Sequence, residues 1–81
     1  MNTEILIKAA IIESQAVSAL QLTDEPTVTG YGRTALYHMV DAHIWSLSVL
    51  TAEPMPIIRA RVRAAAKDRK PLSQYRPRLV S

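Results

Sequence analysis

From Ile5 to Leu22 apolar residues return at helical spacing. Ile5, Leu6, Ala9, Ile12, Ala16, Val17, Ala19 and Leu20 fall on one broad face of a helix turning about 100° per residue. Glu4, Lys8 and Gln15 form a narrow polar strip with Ser14, Ser18 and Gln21 beside it, and Ile7, Ile11 and Leu22 lie in or next to that strip. A helix so apolar around its circumference is covered on more than one side. The expected extra cover is a second chain, giving a homodimer through helix one. Asn2 or Thr3 can cap this helix, and Glu4 meets the positive end of its dipole.

Thr23-Asp24-Glu25-Pro26 ends the first helix, and residues 27–32 read as a loop with glycines on both sides of Tyr31. A second helix is predicted from Arg33 or Thr34 to about Ala52, with Leu36, Met39, Val40, Ile44, Leu47 and Leu50 on its apolar face. Glu53-Pro54-Met55-Pro56 is a break, because proline disfavours helix at the residue before it. Pro56 is expected as the first residue of a third helix, where its missing N–H costs nothing. That helix runs to about Arg69, with Ile58, Val62, Ala65 and Ala66 on its packing face, and Lys70-Pro71 stops it. Residues 72–81 are expected to be extended or disordered. The pattern predicts an all-α fold over 1–70, a small three-helix bundle or a helical hairpin plus a basic third helix. A basic, proline-containing tail over 71–81 follows.

Size and composition sharpen this picture. A single domain of 81 residues is marginally stable, burying only about 60% of its unfolded surface. Its 11 Ala and 21 Leu, Ile and Val supply apolar material, but many of these side chains are small. Such a chain is expected to oligomerise or to fold fully on a partner. The absence of cysteine excludes a disulfide scaffold, thiolate catalysis and a Cys-based zinc site. Gly30 and Gly32 are the only glycines, so there is no Gly-rich phosphate loop. Uninterrupted apolar runs are short, and no membrane span is expected. The N-terminus lacks a leader pattern, since Lys8 interrupts its apolar run and Glu4 precedes it, and a cytoplasmic protein is expected.

Charge is distributed unevenly. Up to Glu53 there are two bases and six acids, and from Pro54 onward eight bases against Asp68 alone. Arg59, Arg63, Lys67 and Lys70 recur at i, i+4, i+8 and i+11 and form one stripe on helix three, with Arg76 and Arg78 following in the tail. Like charges so spaced repel by a few tenths of a kcal/mol per pair. Phosphates, an acidic protein surface or the acidic half of another copy can offset that repulsion. A solvated basic face that confers solubility is the plain alternative. Base-reading side chains such as Asn and Gln are missing from the basic helix. Tyr75 is the only ring in the basic part, so stacking on single strands is poorly supported.

His38, Asp41 and Trp45 share one side of helix two, opposite the Leu36/Val40/Leu47/Leu50 face. With Tyr31 they form a second candidate interface. The plainer expectation for a three-helix protein is that helix one or three folds over Trp45 and makes it a second core. Glu13 projects from the apolar face of helix one and His43 from that of helix two. They are a candidate buried polar pair, within a chain or across a dimer. The plain alternative is that Glu13 reaches solvent and His43 bonds a carbonyl. His38, Asp41 and His43 do not converge on one metal, because His43 lies about 140° away around the helix. No metal, cofactor or catalytic residue is implied, and no carboxylate pair or serine has an evident cleft.

These readings lead to a small regulatory or inhibitory interaction protein. It is expected to bind an acidic protein surface or a protein–nucleic-acid complex through the basic helix face. Small chains without cofactor motifs often belong to phages or mobile elements and block host machinery, which is an analogy of class alone. Two alternatives stand beside it: a nonspecific DNA or RNA binder, and an oligomeric sponge holding an anionic nucleotide between Tyr31 and Arg59 or Arg63.

Overall fold

The computed structural model describes residues 3–68, which form three α-helices: α1 (Thr3–Leu22), α2 (Gly30–Thr51) and α3 (Met55–Asp68). The expected tail over 71–81, with Arg76 and Arg78, lies outside the described residues, as does Lys70. The fold is all-α, a small three-helix bundle.

Local chemistry sets the boundaries. Thr23 Oγ1 donates to the Leu20 carbonyl at 2.6 Å and closes the end of α1. α2 begins three residues earlier than the Gly-Tyr-Gly sequence suggested. Thr29 is its N-cap, in extended conformation (φ −74°, ψ 170°), and its hydroxyl accepts from the Gly32 N–H at 3.3 Å. A hydroxyl placed to take up an orphan N–H outweighs the poor helix propensity of two glycines in the first turn. The connection between α1 and α2 is fastened by Arg33, whose Nε donates to the Thr23 carbonyl at 3.0 Å. At its other end α2 stops at Ala52, which adopts the left-handed conformation with φ 62°. α3 starts at Met55, one residue before Pro56, because the Pro54 carbonyl accepts from the N–H groups of Ile57 and Ile58. Pro56 lies in the first turn, where its missing N–H leaves no helical bond unmade.

α1 and α2 form an antiparallel hairpin. Lys8 and Ile12 stand opposite Leu50 at one end, and Ala19 and Leu22 stand opposite Leu36 at the other. α3 returns along one face of this hairpin, parallel to α1. Arg61 of α3 meets Glu13, and Ala66 meets Gln21. The core lies at this three-way seam and consists of Ala16, Val17, Ala19, Val40, Ile44, Leu47, Ile58 and Val62. Ala65 and Ala66 pack beside it, so the packing face predicted for helix three is the observed one. Gln21 and Thr23 are the buried polar residues, and each has a backbone partner.

Among the described residues the core holds no aromatic ring. Tyr31, Tyr37 and Trp45 are all exposed. This corrects the expectation that another helix folds over Trp45, which is 60% exposed. The reason is the placement of α3, which packs on the Val40/Ile44/Leu47 side of α2 and leaves the Trp45 side uncovered. α1 also bears on the expected absence of a membrane span, by length and composition alone. Its 20 residues include a window of mean hydropathy 1.4 with few charges, so it is long and apolar enough to cross a membrane. Short apolar runs did not reveal this, because a window average tolerates isolated polar residues such as Ser14. About a fifth of that window (22%) is buried inside the bundle.

Candidate interaction surfaces

The basic third helix is less free than its sequence suggests. Arg59, a member of the predicted stripe, donates through Nη1 to Asp41 Oδ1 at 2.8 Å. Arg61, between the stripe positions, carries two carboxylates. Its Nη1 and Nη2 hold both oxygens of Glu53 at 2.8 and 3.0 Å, and its Nε donates to Glu13. The fork geometry of the guanidinium suits this bidentate arrangement. The hydrogen bond from Arg61, joined by its charge, holds the Glu53 carboxyl below the usual glutamate value of 4.5 against the opposing effect of partial desolvation. The same two acids push the Arg61 guanidinium still higher, Glu53 first and Glu13 second.

These bonds correct two expectations. Within one chain Glu13 does not pair with His43. It faces α3, as its position among Ala9, Leu6 and Leu20 allows, and Arg61 takes it. His43 instead points to the opposite side of the hairpin, where it lines a groove with Ser14, Gln15 and Ser18. The stripe itself is divided. Among the described residues Arg59 is neutralised, whereas Arg63 and Lys67 are exposed and make no ion pair. Position along the helix predicts that Arg59 and Arg63 share a face, but which acid stands across from each depends on how α3 lies on the hairpin.

The net positive charge lies outside the helical body. Residues 3–68 contain six bases and seven acids, while residues 69–81 contain Arg69, Lys70, Arg76 and Arg78 and no acid. The formal charge of +3 therefore originates wholly beyond Asp68. Arg63 and Lys67, in the last two turns of α3, are the described cations nearest that segment in sequence.

The second candidate patch does not act as one unit. Asp41 is engaged by Arg59 on the α3 side. Tyr31 stands in the first turn of α2 and is 94% exposed. His38 is exposed. Trp45 belongs instead to an apolar groove of about 410 Å³ on the face of the hairpin opposite α3, with Ile11, Ile12, Val49 and Leu50. Lys8 and Ser46 are its polar lining. A second groove, of about 490 Å³, continues along the same face and is lined by small residues of α1 (Ser14, Ser18, Ala19) against Leu36, Met39 and His43 of α2. The apolar face expected for α2 is divided: Val40, Ile44 and Leu47 are buried, Leu36 is half-buried and packs on the core at its edge, and Met39 and Leu50 lie along the open side.

Tyr31 and the arginines proposed to hold a nucleotide are not brought together, since the grooves beside Arg59 and Arg63 are lined by Tyr37 and Leu20. Among the described residues no three His, Asp or Glu side chains converge on one point. The chain matches no protein-family model, no curated protein and no solved structure.

Proposed function

We propose that this chain is a small regulatory or inhibitory interaction protein that engages an acidic macromolecular surface through the C-terminal end of α3 and the basic residues that follow it. One observation carries the reading. The third helix spends its first two arginines on Arg59–Asp41 and the Arg61–Glu53–Glu13 cluster, so on α3 the cations without an ion pair begin at Arg63. Ion pairs fix Arg59 and Arg61 as structural residues. Arg63 and Lys67 contribute nothing visible to the packing of the bundle, and their charges are available to a partner. The acceptor is an acidic protein surface or a protein–nucleic-acid complex. Direct binding of nucleic acid is the second reading, favoured by four bases without an acid after Asp68.

The test is capture from lysate with immobilised full-length chain, before and after nuclease treatment, beside a double variant Arg63→Glu, Lys67→Glu. Capture that survives nuclease and is lost in the variant is the expected result. Unchanged capture by the variant overturns the assignment of this surface. Binding of a labelled duplex at low salt that collapses as salt rises transfers the reading to nucleic acid. Arg59 is left intact, because reversing its charge would set a second negative charge beside Asp41 and confuse binding with folding.

A further inference from the structure

We propose that two copies of this chain pack through the open face of the α1–α2 hairpin, the face opposite α3, with Ile11 and Ile12 of each copy over Ser18 and Ala19 of the other and the two Trp45 side chains close to the axis. The inference goes beyond the α3 reading and is independent of it.

Three observations carry it. First, the face is apolar and uncovered by the described residues: Ile11 is 54% exposed and Val49 66%. The side chain with the most area to bury, Trp45, is on this face. Second, the face is large enough. Two helices of 20 and 22 residues present an outline of about 600 Å², about 30 Å long and about 20 Å wide, which side-chain relief raises toward the roughly 800 Å² of accessible surface per partner of a stable interface. Third, the face complements itself. Along α1, Ile11 and Ile12 line the groove at one end, and Ser14, Ser18 and Ala19 form the α1 side of the groove at the other, facing Leu36 and Met39 of α2.

A two-fold axis in the plane of the contact, perpendicular to the helices and passing near Gln15 and His43, turns one end onto the other. α1 then lies antiparallel to its copy with Ile11 and Ile12 over Ser18 and Ala19, Val49 and Leu50 meet the Leu36 end of the copy's α2, and the contact closes on itself. The result is a four-helix core with one α3 on each outer side. Lipid is the competing occupant, given the apolarity of α1. The polar side chains along the face, Gln15 and His43 among them, bond readily across a protein contact and poorly to hydrocarbon. Spanning would also tear Glu13 from Arg61.

The experiment uses the full chain. Sedimentation across concentration is read together with the emission of Trp45, the only tryptophan. The expected result is a dimer that dissociates on dilution, with a red shift of emission as Trp45 returns to water. Val49→Lys, at an exposed position, is expected to weaken self-association at least about tenfold with helical circular dichroism retained. Because the chain has no cysteine, Gln15→Cys reports the axis: a short thiol cross-linker should join two copies, whereas Arg63→Cys should not cross-link. A monomer at about 100 µM overturns the proposal. So does a dimer that ignores Val49→Lys or cross-links only through Arg63→Cys. A monomer whose Trp45 emission shifts blue on phosphatidylcholine vesicles, with or without phosphatidylglycerol, assigns the face to lipid and also overturns it. The Arg63→Glu, Lys67→Glu variant leaves this face untouched, so loss of capture and loss of the dimer are separate outcomes.

Discussion

Arg61 and Glu13 join the third helix to the first across 48 residues of sequence, and the same guanidinium grips Glu53 at the entrance to α3. One side chain thus ties the hairpin, the linker and the last helix together. Its partners are partly open to water, with side-chain exposures of 30% for Glu13 and 35% for Glu53. Solvent screening therefore reduces what each pair contributes. Arg61→Ala is expected to lower unfolding stability by about 1 kcal/mol, and Arg63→Ala to leave it within about 0.5 kcal/mol. Urea midpoints compare the two, and an equal effect of both substitutions would remove the special role of Arg61.

Acid sensitivity follows from the same cluster. Arg61 lowers the folded-state pKa of Glu53 relative to its unfolded value. A carboxylate so shifted contributes stability that is complete above the unfolded value, and that stability is lost as pH falls through the folded one. The loss should begin below about pH 4.5 and be smaller in Glu53→Gln. Thermal midpoints between pH 6 and pH 2.5 measure it. Parallel curves for the two proteins would dissociate acid sensitivity from Glu53.

Ala52 holds the left-handed conformation that ends α2, which costs a residue with a Cβ about 1 kcal/mol. Ala52→Gly is expected to stabilise the protein by a few tenths to about 1 kcal/mol, part of the gain being offset by the greater freedom of glycine in the unfolded chain. Chemical denaturation tests it, and a destabilised variant would contradict the strain argument.

Ile58 and Val62 are fully buried, and they are the α3 residues in the core. Ile58→Val removes one methylene from a packed site and should cost about 0.5–1.5 kcal/mol. Ile57→Val, on the exposed side of the same turn, should cost less. Similar losses at both positions would mean that α3 docks in another rotation.

Much of the fold was legible in the sequence, because helical spacing shows in a single segment. The Ile58/Val62 face and the end of α1 before Asp24 were visible in this way. The start of α2 was hidden, since Gly30 and Gly32 signal a loop and only the Thr29 hydroxyl, three residues before an N–H that needs a partner, argues otherwise. The candidate site was less legible. Glu13 was correctly seen as a carboxylate on an apolar face, but its partner depends on which face of the hairpin α3 covers. No periodicity carries that information. Arg61 was overlooked because it lies between the stripe positions, and the same placement turns it inward while Arg63 points out. Trp45 was ambiguous for a related reason: which side of α2 stays bare is fixed by the rotation of α3, a tertiary choice.

Chain order adds a temporal consequence to the ion pairs. During synthesis the hairpin leaves the ribosome before the helix that covers it. Without α3 the side of the hairpin that carries Val17, Val40 and Ile44 loses that helix as cover, and the anions Glu13 and Asp41 lose the arginines that pair with them. Those charges discourage premature sticking of the nascent hairpin. The later arrival of Arg59 and Arg61 removes the protection at the moment it is no longer needed.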